Sequence, residues 1–380
     1  MNEFAWCNCQ LVNTIVFPII RIFFGYVLVK LIWKLVIGFI ASLSGAFAAQ
    51  WIGIPLPWTL GPLFVVAALR LMTVPVSSYS PFRNFGQWVI GLTLGLYFTP
   101  QVVAVVSSHW LAMIAGLILA LLLAVYGTVL LYRFGQVDLK TAWFSSAIGG
   151  ANEMTVLAER YKVRPDLVAS AHTLRLIMVV IAVPFACQIF NVAGADPSVL
   201  DQKYFDLKGF LILGLLTVSG GYIAYRNKIP NAWVLGPMFV TMALTMNEIH
   251  FSNVPSWLSL LAQLSIGWSL GDRFRPGFFK KAPRFLLYVF IYSATALVLA
   301  FGYALLLAQF SNVPLSSLAV SVAPGGIAEM AITAKVLQLG VPLVTAFQVS
   351  RMVGVVLLTG PLYVYVVTRF QSKKLANISE

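Results

Sequence analysis

Two glutamates and two arginines occupy matching places in a chain with little other charge. Glu153 lies in SSAIGGANEM (145–154) and Glu329 in SVAPGGIAEM (321–330). Each stands three residues after a Gly-Gly pair, and an arginine, Arg175 or Arg351, follows each 22 residues later. Charged groups are costly in apolar surroundings, so each must be paired, neutralised or put to use. Guanidinium forks match carboxylate or phosphate, and a carboxyl of raised pKa carries a proton or ligates a cation. Gly149, Gly150, Gly325 and Gly326 let backbone amides face a ligand with no side chain between. A helix starting just after them, at Asn152–Glu153 and Ala328–Glu329, turns its positive end toward an anion. Ser145, Ser146 and Ser321 add hydroxyls, Asn152 an amide and His172 an imidazole, which Gln348 replaces in the second copy. These residues, with Arg175 and Arg351, form the candidate substrate site, and Glu153 and Glu329 are the candidate ion-coupling acids. Two structural readings stand beside it: Glu153 with Arg175 and Glu329 with Arg351 as neutralising ion pairs, and the Gly-Gly pairs as points of close helix packing.

The surrounding chain is a membrane protein's. Of 380 residues 60% are hydrophobic and only 10% charged, with a mean hydropathy of +0.89. Stretches such as 110–132 and 285–310 are long enough to cross a hydrocarbon core of ~30 Å as helices. The formal charge of +13 sits in short clusters between apolar stretches, with no basic domain to hold nucleic acid. Cys7, Cys9 and Cys187 suit neither a disulfide framework nor a four-ligand metal site. The first residues lack a cationic stretch before the apolar run and a cleavage site, so no removed signal peptide is expected. Residues 11–34, interrupted by Arg21, Lys30 and Lys34, read as an extra span or an interfacial helix.

The paired motifs belong to a longer duplication. IPLPWTLGPLFV (54–65) answers IPNAWVLGPMFV (229–240), and Gln87 with GLTLG (91–95) answers Gln263 with GWSLG (267–271). The GGxxEM motifs and the arginines repeat at an offset of 176, within one residue of the offset elsewhere. Each unit reads as six apolar stretches: 36–52, 58–72, 85–106, 109–132, 141–158 and 166–190, then 207–225, 231–247, 256–271, 285–310, 316–336 and 342–368. The fifth of each is short and carries the Gly-Gly pair, which costs about 1 kcal/mol of helix stability per glycine relative to alanine. Gly61-Pro62 and Gly236-Pro237 either kink their helices or serve packing.

Lys and Arg gather in cytoplasmic loops. In the second unit they lie at Arg226 and Lys228, between Arg273 and Arg284, and at Arg369, Lys373 and Lys374; in the first at Lys30 and Lys34, Arg70 and Arg83, Arg133 and Lys140, and Arg160 to Arg164. If each cluster is cytoplasmic, 316–336 begins and ends outside, and 141–158 begins and ends inside. The expected fold is therefore all-α and integral to the membrane, with two inverted-topology repeats of about five transmembrane helices plus one re-entrant hairpin each. Its parts are an extension at 1–35, repeats at 36–192 and 207–368, a periplasmic linker at 193–206 and a cytoplasmic tail at 369–380. Non-helical backbone at membrane depth survives only against protein or water, so a polar centre between the hairpins is implied.

At these residues the sequence resembles the bacterial membrane AbrB-type proteins, a duplicated family also labelled ammonia monooxygenase or transcriptional regulator. The resemblance covers about 36–368 and rests on LGPL (60–63), LGPM (235–238) and the Gly-Gly hairpins followed by a membrane arginine. In that family both hairpins often read S-P-G-G; here they read AIGG (147–150) and APGG (323–326). The architecture it implies is similar to that of glutamate/sodium and citrate-type symporters. The family labels do not translate into chemistry here. A copper monooxygenase needs clustered imidazoles, whereas His109, His172 and His250 fall in unrelated segments.

The function expected is secondary active transport of a small solute, an organic anion by preference, across the bacterial inner membrane. Coupling is to protons or sodium, with 109–190 and 285–368 as a moving core on a scaffold of the earlier spans. No enzymatic activity, cofactor or nucleic-acid partner is expected; the bilayer, and a second copy of the chain as a homodimer, are the macromolecular partners. The alternative is a regulatory or sensor protein that binds a ligand in the same cavity without moving it.

Overall fold

Apolar runs this long have to satisfy their backbone within themselves, and helices do so. The computed structural model describes residues 17–190, 192, 194, 205–274, 277–280 and 282–376, without side chains at 17–31, 152, 279 and 366–376. Among the described residues there are helices and no strand. The first half holds α1 Phe17–Ile52, α2 Pro57–Leu71, α3 Ser80–Gly95, α4 Pro100–Ser108, α5 Trp110–Phe134, α6 Leu139–Ser146, α7 Ala151–Arg160 and α8 Pro165–Ile189. The second holds α9 Leu207–Arg226, α10 Ala232–Met246, α11 Ser256–Gly271, α12 Pro283–Ser311, α13 Leu315–Val322, α14 Ile327–Leu337 and α15 Val341–Ala376.

Among the described residues six helical segments are long and apolar enough to cross a membrane: Ile32–Ile52, Trp110–Phe134, Pro165–Ile189, Leu207–Arg226, Pro283–Ser311 and Val341–Tyr365. Helices α2 and α10 have 15 residues and α3 and α11 have 16, so at 1.5 Å per residue they reach only about 22–24 Å. Two expectations need correction. The stretch at 85–106 is no single span: α3 and α4 meet at 91° across a short break that ends in Pro100. The boundaries at 35/36 and 368/369 fall inside α1 and α15, each one 36-residue helix, so 17–34 is helical and runs on into the next span. The 193–206 linker lies mostly outside the described residues, as do Cys7 and Cys9.

The helices pack as two groups. In one, α1, α2, α11, α3, α10 and α9 lie side by side in that order, alternating between the halves at its centre. In the other, α5 and α12 pack together and against the short pairs α6–α7 and α13–α14, with α8 and α15 completing the group. The first group takes in the earlier helices of each half and is called the scaffold, and the second, which holds both short pairs, is called the core. Glycine explains the interleaving of the first group. A Cβ at Gly91 would collide with the Val234 carbonyl and one at Gly95 with Met238 of α10; at Gly267 and Gly271 it would meet the Thr59 and Leu63 carbonyls of α2. The GLTLG and GWSLG blocks are thus small-xxx-small stripes, each seated on the LGP helix of the other half. The LGP glycines themselves take the packing role: Gly61 lies against Gly45, and Gly236 against Gly220, inside helices that continue through the prolines. Replacing Gly267 by alanine is expected to cost about 1–3 kcal/mol, the range for overpacking, because a backbone carbonyl has no rotamer with which to yield. Thermal unfolding of the purified protein reads this directly.

Candidate functional site

Both short pairs are helices broken at the same place. Helix α6 stops at Ser146 and α7 begins at Ala151; α13 stops at Val322 and α14 begins at Ile327. The residue before Pro324 is driven from helical geometry, and Ala323 has φ −56° and ψ 135°. Ala147 adopts φ −54° and ψ 130° with Ile148 in the proline's place, so AIGG bends as APGG does.

The glycines follow from space and not from an unusual dihedral, since Gly150 and Gly326 have negative φ. A Cβ at Gly150 would overlap the Glu153 carboxylate, and one at Gly326 that of Glu329. A Cβ at Gly149 or Gly325 would strike the buried side chain of Met154 or Met330. The motif GGxxEM is therefore one capping unit, with the glutamate at the third helical position folded over the helix start, where its charge meets the positive dipole end. Gly326→Ala is expected to cost about 1–3 kcal/mol and to become nearly neutral once Glu329→Ala has removed the colliding carboxylate. A double-mutant cycle of melting temperatures measures that coupling.

Arg175 and Arg351 do not pair with these acids. Arg175 donates from Nη1 to the Ala147 carbonyl at 2.7 Å and from Nη2 to that of Gly149 at 3.0 Å. Arg351 donates to the Ala323 carbonyl and, at 2.7 Å, to that of Gly325, the same pattern displaced by 176. Breaking a helix frees carbonyls that apolar surroundings leave without partners, and each guanidinium supplies the donors. Among the described residues the ion pairs are Arg70–Asp272 and Arg164–Asp166, and neither expected Glu–Arg pair forms. His172 Nε2 lies 2.8 Å from the Phe144 carbonyl; a carbonyl only accepts, so the proton is on Nε2. Gln348 repeats this, donating to Val320, Ser321 and Ala323 carbonyls at 3.1, 3.1 and 3.3 Å, while its oxygen accepts from Arg351.

Both breaks face one cavity of about 80 Å³, room for several waters. Of the expected residues, Gly149, Gly150, Glu153, His172, Arg175, Gly325, Gly326, Glu329 and Arg351 line it. Ser145, Ser146 and Ser321 do not: all three are buried, and Ser146 is spent on Thr128 Oγ1 at 2.7 Å and the Ala124 carbonyl at 2.8 Å. The side chain of Asn152 lies outside the described residues. Sequence reasoning missed Arg83, Gln87, Asn231 and Arg273 in the lining. Arg273 lies within electrostatic range of Arg83, Glu329 and Glu153. The Asn231 amide donates to Glu153 Oε1 at 3.1 Å and Gln87 Nε2 to Asn231 Oδ1 at 3.1 Å, so scaffold touches core here. Among the described lining residues four arginines stand against two glutamates.

Comparison with known proteins covers most of the chain. The family described as "Transition state regulatory protein AbrB" matches residues 58–367. The chain is 25% identical over 360 residues to "Uncharacterized protein YhjN" of Bacillus subtilis (strain 168), covering 88% of this chain and 93% of that protein. It is 24% identical over 351 residues to "Putative regulator AbrB" of Escherichia coli (strain K12), covering 89% of this chain and 98% of that protein. The chain with paired GGxxEM breaks around a common arginine-rich cavity belongs to the AbrB family.

Proposed function

We propose that the protein is a secondary active transporter of a small organic anion across the bacterial inner membrane, working by alternating access. The observation that carries this reading is the cavity where both helix breaks meet, with four arginines and two glutamates in its lining. That balance leaves a net charge of +2 with every group ionised, and more once a carboxyl is protonated, so a mono- or dicarboxylate fits it better than a cation. The broken pairs are re-entrant hairpins from opposite faces, the repeats are inverted, and the Lys/Arg clusters put the carboxyl terminus in the cytoplasm. The core group of helices moves against the scaffold. Glu153 is tied to the scaffold through the Asn231 backbone amide, and no scaffold group makes such a hydrogen bond to the Glu329 carboxylate among the described residues. We assign coupling by protons or sodium to both acids, with Glu329 the freer to exchange.

A second reading, a ligand-binding regulator that does not transport, is favoured by the family description and the name of the Escherichia coli relative. One experiment separates them: thermal stabilisation of the purified protein by a panel of mono-, di- and tricarboxylates and of organic cations, followed by uptake of the best binder into proteoliposomes. Carboxylate stabilisation with uptake supports transport. Stabilisation without uptake supports the regulator, and stabilisation by cations alone overturns the anion assignment.

A further inference from the structure

Two spaces flank the central cavity, and they are related by the duplication. One, of about 470 Å³, is lined by Arg83, Thr155, Ser269 and Arg273 among others, and shares both arginines with the cavity. The other, of about 20 Å³, is lined by Thr93, Ser259, Gln263, Ala331 and Lys335 with four apolar residues of α3 and α14. Arg83, Thr155 and Ser269 correspond at an offset of 176 to Ser259, Ala331 and Thr93. Equivalent places in the two halves are thus open on one side and shut on the other.

The shut side still holds a cation. Ser259 stands where Arg83 stands in the other half, and Lys335 Nζ reaches it from α14, donating to its Oγ at 3.3 Å. The residue equivalent to Lys335 is Glu159, which is exposed. An ammonium has three donors; one is used here, and among the described residues no carboxylate lies within 4.0 Å of it. Gln263, the partner of Gln87 in the duplication, lines this pocket as Gln87 lines the central one. A half-buried cation with no carboxylate beside it among the described residues, next to a hydroxyl and an amide, is a costly arrangement for packing alone and a suitable one for receiving an anion.

Resting on the transport reading, we propose that Lys335, Ser259 and Gln263 form a second anion site, the entrance on the face opposite the open vestibule, collapsed in this conformation. It takes a small carboxylate or comparable anion, which passes to the arginines of the central cavity when the core moves.

The test uses the full-length protein with Cys7, Cys9 and Cys187 replaced and one new cysteine, Gln263→Cys or, in the central cavity, Ala328→Cys. Membrane vesicles of both orientations are treated with methanethiosulfonates bearing a sulfonate or a trimethylammonium group. From the face opposite the open vestibule, Gln263→Cys is expected to react faster with the anionic reagent, and Lys335→Gln to lower the anion-to-cation rate ratio about tenfold, with Lys335→Arg restoring it. An unchanged ratio in Lys335→Gln, with or without a fall in melting temperature, reduces Lys335 to a counter-charge for the α14 carboxyl end and overturns the proposal. If Ala328→Cys reacts from that face and Gln263→Cys does not, the route lies elsewhere and transport stands. If neither reacts from that face, the transport reading falls with it.

Discussion

Replacing Arg351 by alanine is expected to destabilise the protein by about 3 kcal/mol, the largest effect of any single truncation in the cavity. The side chain is 6% exposed and bonds the Ala323 and Gly325 carbonyls and the Gln348 amide oxygen. Hydrogen bonds to a charged group contribute about 1.5–3 kcal/mol each, and a buried acceptor left alone costs about 1–3 kcal/mol; loss of the buried charge offsets part of the sum. Lysine does not rescue, since one ammonium cannot span two carbonyls as a planar fork does. Arg175→Ala is expected to do less harm, because Arg175 holds two carbonyls and has no glutamine partner of the Gln348 kind. Melting curves of the three variants check the order. An unchanged midpoint for Arg351→Ala would show that the carbonyls find other donors and that the arginine is free for ligand.

Arg273→Glu is expected to abolish anion binding while leaving the fold intact, a drop of a hundredfold or more in affinity. Arg273 lines both the cavity and the open vestibule and lies in the turn after α11, outside the carbonyl network that holds the breaks. Reversing it changes the local charge by two units, taking the fully ionised lining from +2 to zero. At a separation of about 5 Å and an effective dielectric of about 20 each unit is worth roughly 3 kcal/mol. Titration with the best carboxylate of the panel measures the loss; near-normal affinity in Arg273→Glu would remove this side chain from the site and weaken the anion assignment.

How much of this was legible depends on what each residue type can mean. The GGxxEM motifs and their arginines were legible because the duplication holds them in register, and the cavity does join them. The arginines' partners were not, since a spacing of 22 residues brings a guanidinium near a helix break without choosing between carboxylate and carbonyl. The missing clue was physical: a break in a membrane helix frees carbonyls, and those need donors before any ligand does. By sequence Arg83 and Arg273 belong to the Lys/Arg clusters that mark a cytoplasmic face. They line the site because α3 and α11 pack side by side, and the first turn of α3, which carries Arg83, and the turn after α11, which carries Arg273, both border the cavity. Ser146 lies away from the cavity because its hydroxyl is spent on a neighbouring helix, at Thr128; the Ser145 and Ser321 hydroxyls are buried and have no hydrogen-bond partner among the described residues.

The crossed glycine stripes make each half depend on the other. Neither half closes its own seam: Gly91 and Gly95 need the helix of Val234 and Met238, and Gly267 and Gly271 need that of Thr59 and Leu63. Either half by itself leaves its glycine stripe uncovered, so the two halves are expected to fold as one unit and not as separable domains. They differ where this mutual dependence does not reach, with Arg83 in one and Ser259 with Lys335 in the other.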